Sequence, residues 1–174
     1  MTQMTATLQQ WLESVAVGKT RFALLEALAP MADRFSSCAV SSAGLVIKAG
    51  GSPLAKTGSA VTNLVANGIP VAIAASTDMP ALTGINNTAG YYRIVCFFVD
   101  SAGTVTAAAG GEASTLAACT WPAFPAGQAL VGFLTIYYAS AFTGGTTPLD
   151  TATTTYNSPT GAWDPSVLVG ATSY

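Results

Sequence analysis

The pattern of the chain changes at Cys38, and this change constrains the fold more than any other feature. From Cys38 onward, short apolar runs alternate with Gly, Pro, Asn and Ser, which is typical of strands joined by tight turns. The 174 residues are enough for one domain with a hydrophobic core plus a terminal extension. Residues 36–174 are therefore predicted to form one mainly β domain with antiparallel pairing.

Three turns organise the first part of this β region. Asn67-Gly68 predicts a hairpin, because both positions of this two-residue turn accept a positive φ. Residues 100–103 predict a second hairpin, and Ser42-Ala43-Gly44 separates two further short runs. The paired runs are 38–41 with 45–48, 61–66 with 69–75, and 91–99 with 104–109. The pattern indicates hairpins in series.

The later part of the β region is less regular. Residues 121–127 contain two prolines, which favour an extended loop leading into a strand at 130–138. The Thr-rich run 151–156 either pairs with a sheet edge or forms a solvated loop. Both alternatives are open at the level of sequence.

The first 35 residues have a different spacing, and we predict an N-terminal helical arm over 1–35. Gly18 divides the periodic stretch and Pro30 ends it, so it forms one interrupted helix or two short ones. Its apolar positions include Leu8, Trp11, Leu12, Val15, Phe22 and Leu25. An amphipathic helix ahead of a β domain needs a partner surface, so this arm contacts another subunit or caps its own β domain.

The residues that usually carry chemistry are missing. The chain has no histidine, which removes the usual general base near neutral pH and any Ser-His-Asp triad. Its eight acidic residues are scattered, and most of the five in the β region lie next to Gly, Pro, Ser or Thr, where shaping a turn is the default role. Cys38, Cys96 and Cys119 are far apart and form no CxxC pair, so we expect small buried thiols. We predict that the chain is not an enzyme and binds neither a cofactor nor a metal.

The scarcity of charge indicates the kind of surface. Only 8% of the residues are charged, against about 25% in ordinary soluble proteins. Such a surface suits a chain whose exterior is covered by sister subunits or a lattice; the alternative is a secreted protein with a Thr/Ser/Ala-rich coat. A net charge of −2 without a Lys/Arg cluster argues against nucleic acid. The absence of a signal peptide and of long apolar runs argues against a membrane.

Adjacent aromatic residues suggest where contacts lie. They occur in the two strongest strand candidates, where alternation directs one member of each pair outward. The outward members expected to form subunit contacts are Tyr92, Phe98 and Tyr138. The same aromatics would otherwise form a platform for stacking carbohydrate.

Several phrases of the sequence resemble structural proteins of tailed bacteriophages. They are GYYRIVCFFVDSAGTV at 90–105, Trp121-Pro122, PAGQALVG at 125–132 and FTGGTTPLD at 142–150. The resemblance is to capsid decoration (cement) proteins and head-fibre subunits. It implies a β-rich, oligomeric protein of the virion, made in the host bacterial cytoplasm, without cofactor or catalysis.

These observations lead to a predicted function. We expect an antiparallel β-sandwich, jelly-roll or immunoglobulin-like, that assembles as a trimer on the head exterior and clamps the major capsid protein. The predicted subunit contacts are Leu8, Trp11, Leu12, Val15, Phe22, Leu25, Tyr92, Phe98 and Tyr138. The alternative is a fibre or receptor-binding module that recognises a host glycan through Trp121 or Trp163.

Overall fold

The computed structural model describes residues 36–161. The chain divides into two units, Met1–Arg34 and Phe35–Tyr174, and every described residue belongs to the second. The predicted helical arm lies outside the described residues, as do Trp163 and the apolar run 167–169.

The described region is mainly β with antiparallel pairing, as the turn-punctuated pattern predicts. The strands are β1 (Cys38–Ala39), β2 (Val46–Ile47), β3 (Ala55–Lys56), β4 (Thr62–Ala66), β5 (Ile69–Ile73), β6 (Asn86–Asn87), β7 (Tyr92–Val99), β8 (Val105–Ala109), β9 (Ala129–Tyr137), β10 (Phe142–Thr143) and β11 (Thr153–Asn157). A 3-10 helix occupies Leu116–Ala118. No helix among residues 36–161 has the length and apolar character needed to cross a membrane.

The largest sheet has four strands in the order β11-β9-β7-β8. Pairing of β11 with β9 confirms the edge-strand alternative for the Thr-rich run. Phe97 lies opposite Gly132 and Phe98 opposite Leu130, so Val131 is an extra residue that forms a bulge in β9. The bulge lets Val131 as well as Leu134 face the main core.

A second sheet has three strands in the order β1-β4-β5. The predicted hairpin at Asn67-Gly68 is confirmed, since Ala66 pairs with Ile69 and the turn residues have φ of 51° and 75°. The hairpin of β7 and β8 across residues 100–103 is confirmed as well.

The turn Ser42 to Gly44 does not make a hairpin, in contrast to the prediction. β1 pairs with β4, while β2 pairs with β3 in a separate two-stranded sheet. Ala43 is 2% exposed and its carbonyl accepts a 2.8 Å hydrogen bond from the amide of Gly58. The segment therefore crosses between sheets with Ala43 buried and Ser42 and Gly44 exposed, and the hydrogen bond from Gly58 holds it in place.

The main hydrophobic core collects side chains from both larger sheets. Val95, Phe97 and Val99 of β7 are fully buried in it, together with Leu64 of β4 and Ile73 of β5. Each such side chain contributes about 1.5–3 kcal/mol on removal from water. Strand β9 adds Val131, Leu134 and Ile136 to this core, and loops and short strands add Met79, Leu82, Phe142 and Leu149.

The end of the described region returns to its beginning. Gly161 donates a 2.7 Å hydrogen bond to the carbonyl of Ala39 and accepts one of 3.3 Å from the Ala39 amide. Gly161 therefore lies beside β1, opposite Ala39, which follows Ser37 by two residues.

Candidate subunit contact surface

The face of the four-stranded sheet opposite the main core is covered by segment 110–127 of the same chain. We call this the covered face; its residues Ile94, Cys96, Phe98, Leu130 and Phe133 form a second hydrophobic cluster. The ring of Trp121 packs edge-on against Phe133 at 4.9 Å between centroids, and Phe124 packs edge-on against Phe98 at 4.8 Å. A loop with two aromatic anchors thus keeps most of this face from water.

Polar contacts hold the start of this segment. Thr88 donates to Glu112 through its amide (2.8 Å) and its hydroxyl (2.6 Å), and Arg93 pairs with Glu112 at 3.3 Å. The hydrogen bonds from Thr88, with a smaller contribution from Arg93, lower the pKa of Glu112. Further along, the Cys119 thiol donates to the carbonyl of Tyr92 at 3.2 Å. This cluster connects the covering segment to the loop before β7 and to β7 itself.

The covered face corrects the expectation for Phe98. Its side chain points away from the main core, as alternation requires, but it is 0% exposed because Phe124 and Leu130 pack on it. The aromatic that reaches the surface here is Phe124, at 37% exposure. Sequence periodicity predicts which face of a strand a side chain occupies. Whether that face is exposed to solvent depends on a loop that is distant in the sequence.

A half-exposed patch remains beyond the covering segment. Tyr92 and Tyr137 stack with their ring centroids 4.6 Å apart. On the same side of the sheet lie Thr135 of β9 and the exposed Thr153 and Thr155 of β11. We call these five residues the tyrosine patch; Tyr92 is half-buried within it, and its role as a subunit contact stays a prediction.

The remaining predicted contacts fall elsewhere. Tyr138 is half-buried and packs against the main core, on the side away from the tyrosine patch. The six predicted contacts of the N-terminal arm lie outside the described residues: Leu8, Trp11, Leu12, Val15, Phe22 and Leu25. Trp121, proposed as a glycan platform, has its ring against Phe133 and is half-buried.

Sequence reasoning missed the most exposed apolar surface, the outer face of the three-stranded sheet. We call it the bare face; its residues are Cys38, Val40, Val61, Asn63, Val65, Pro70 and Ala72. Val40 is 64% exposed and Val61 is 52% exposed. Thr62 and Leu64, which alternate along β4 with the outward-facing residues, are buried. The alternation of residues along β4 does predict an outward-facing apolar surface, but small aliphatic residues are a weaker sequence signal than aromatic ones.

Neither the bare face nor the tyrosine patch contains a charged residue. The acids serve turns and loop contacts instead: Asp100 accepts from the amides of Ala102 (2.9 Å) and Thr104 (2.8 Å) within its own turn. Asp150 accepts from the amide of Gly51 at 2.7 Å. The Asp100 contacts confirm the predicted turn role for this residue, whereas Asp150 contacts a loop distant in the sequence.

Of the three thiols predicted to be buried, Cys96 is buried, while Cys38 and Cys119 are half-buried. Burial raises the pKa of the Cys96 thiol to about 12, and burial also raises that of Cys119. Thiols with raised pKa values are poor nucleophiles near neutral pH. Within residues 36–161, no three His, Cys, Asp or Glu side chains are grouped so as to hold a metal ion.

An open depression of about 540 Å³ lies beside β3. Its lining includes Lys56 and three serines, Ser42, Ser59 and Ser76, together with Gly44. Ser76 has a φ of 56°, and its amide donates to the carbonyl of Gly58 at 2.8 Å. That hydrogen bond accounts for the unusual backbone, and the depression brings no two charged groups together.

The comparisons with known proteins found no matching family model, no matching curated protein and no matching solved structure.

Proposed function

We propose that this chain is a structural subunit of a multi-copy assembly, namely a decoration protein on the head of a tailed bacteriophage. In this proposal the three- and four-stranded sheets form a β-sandwich, jelly-roll or immunoglobulin-like, and the main core drawn from both sheets supports that arrangement. The role is mechanical: the chain associates with itself and with the major capsid protein, and stabilises the capsid lattice. It includes no catalytic step and no cofactor.

The observation that carries the proposal is the bare face. Exposed Val40 and Val61 lie beside further small, uncharged residues of the same sheet. Apolar surface gains about 25 cal/mol per Å² when a partner removes it from water, and no charge on this face has to be desolvated. A contiguous surface of this kind is typical of a contact with another protein. We assign it to the capsid lattice.

The proposal is tested by placing two lysines on the bare face. Val40→Lys with Val61→Lys adds charge at positions whose side chains are mostly in water, so the fold is retained. The matched control, Ser101→Lys with Thr104→Lys, adds the same charge at the exposed turn between β7 and β8. Each protein is incubated with phage heads that lack it, and bound copies are counted by electron cryo-microscopy.

The wild type and the control are expected to occupy the head in hundreds of copies. The bare-face variant is expected to lose at least about tenfold in occupancy, because two desolvated lysines cost more than 1.4 kcal/mol. Binding of a few copies at a tail or vertex would favour the receptor-binding alternative. Binding of the bare-face variant at the wild-type level would contradict the assignment of the lattice contact to this face.

A further inference from the structure

The four-stranded sheet ends at β8, and within residues 36–161 the outer backbone edge of this strand has no hydrogen-bond partner. The amide of Gly110 donates to the carbonyl of Ile94 at 2.9 Å, and that of Asp100 donates to Thr104 at 3.1 Å. The register between these two hydrogen bonds assigns Thr106 and Ala108 to bonds with β7. Val105, Ala107 and Ala109 therefore direct their amides and carbonyls away from the sheet. Within the described region, none of these three residues has a backbone hydrogen-bond partner on that side.

This edge lacks the features that normally prevent strand pairing. Such edges are usually blunted by proline, charged side chains or a bulge. β8 reads Val-Thr-Ala-Ala-Ala and contains none of them. The edge of the three-stranded sheet shows the contrast: the amide of Val40 donates to the carbonyl of Asn63, so β4 uses Asn63 toward β1. Pro70 and Ala72 of β5 then point outward, and Pro70 has no amide to offer.

We propose that β8 pairs antiparallel with β8 of a second copy of this chain, about a twofold axis through Ala107. Around that axis Val105 lies opposite Ala109 of the second copy, and Ala107 lies opposite its own equivalent. All three outward-facing residues thereby meet outward-facing residues, which gives about six new hydrogen bonds. The two four-stranded sheets become one continuous sheet of eight strands.

The composition of the strand fits this partner. A twofold contact places each residue close to the same short segment of the second copy, so any charge in β8 would be repelled by the identical charge of the partner strand. The five residues are small and uncharged, and the Ala107 side chain is half-buried against the main core. The proposed contact rests on the self-association in the proposed function, uses a different surface from the bare face, and gives a dimer in place of the predicted trimer.

The experiment compares proline at two outward-facing edge positions. Ala107→Pro deletes an amide that has no acceptor within the described region, so β8 keeps its bonds to β7, while the twofold pairing is lost. Ala72→Pro is the matched control, since it deletes an outward amide from β5. Masses are measured by light scattering and sedimentation over a range of concentrations. Circular dichroism reports whether each variant retains its strands.

The wild type is expected to have twice the 17.5 kDa chain mass, and Ala107→Pro is expected to weaken the dimer about 100-fold or more. Ala72→Pro is expected to dimerise like the wild type. Amide hydrogen exchange of the wild type needs no variant: the Ala107 amide is expected to be protected in the dimer and to exchange faster on dilution.

The inference would be overturned by a monomer in which the Ala107 amide exchanges rapidly, by a dimer that Ala107→Pro leaves intact, or by a trimeric or larger ring. The last would indicate pairing of β8 with the other edge, β11. An oligomer with an unprotected Ala107 amide would exclude pairing through β8 and leave the assembly proposal standing. Loss of head binding by the bare-face variant, measured separately, tests that proposal by itself.

Discussion

The covered face and the bare face are the outer surfaces of two neighbouring sheets, yet the chain treats them in opposite ways. The covered face carries Phe98 and Phe133, and segment 110–127 places Trp121 and Phe124 on top of them. The bare face carries valines and smaller residues, and Val40 remains 64% exposed.

The size of the side chains explains the difference. A phenylalanine left in water forgoes far more burial energy than a valine or an alanine, so large aromatics need a cover from their own chain. Small aliphatic residues can stay exposed in a single subunit and become buried on assembly. The covered face is therefore buried by folding alone, whereas the bare face is where we propose that a partner binds.

The largest expected effect comes from truncating one side chain on each face. Phe98→Ala should lower the free energy of unfolding by about 3–5 kcal/mol, because it leaves a cavity beneath Phe124. Val61→Ala on the bare face should change it by less than about 0.5 kcal/mol. Urea unfolding monitored by tryptophan fluorescence measures both, and equal losses would contradict the distinction between the faces.

A thiol probe inside the covered face tests the same distinction without changing Phe98 or the aromatic residues that cover it. In a Cys38→Ser, Cys119→Ser background, Cys96 is the remaining thiol, and its pKa of about 12 leaves very little thiolate. A pKa three units above its ordinary value lowers the thiolate fraction about 1000-fold. Modification by a disulfide reagent at pH 8 should therefore be at least about 1000-fold slower in the folded protein than in urea. Rapid modification of the folded protein would show that segment 110–127 opens readily.

The smallest effect concerns the polar anchor of the covering segment. The pKa of Glu112 is lowered in the folded protein, first by the hydrogen bonds from Thr88, so its carboxylate stabilises the fold when ionised. This contribution is present above the unfolded value of 4.5 and is lost as the pH falls through the folded pKa. The stability difference between wild type and Glu112→Gln should therefore shrink as the pH is lowered from 7 to 3. A difference that is independent of pH would contradict this role.

Local features of the chain were predicted correctly where a turn specifies the structure by itself. Asn67-Gly68 and residues 100–103 produce hairpins because their positive-φ positions and the Asp100 side chain favour one backbone path. The hairpin predicted at Ser42 to Gly44 was wrong because the flanking strands β1 and β2 pair with strands elsewhere in the chain and belong to different sheets. The Thr-rich run became strand β11 because the edge of β9 was available to pair with it.

The sequence by itself determined that residues 36–161 form antiparallel strands, because alternation and turn chemistry act over a few neighbouring residues. It also determined that the surface is poor in charge. The tertiary structure alone decided which outward-facing residues are exposed to solvent. The burial of Phe98, the exposure of Val40 and the lack of a partner for the Ala107 backbone among residues 36–161 depend on how distant segments meet, and no local pattern specifies that.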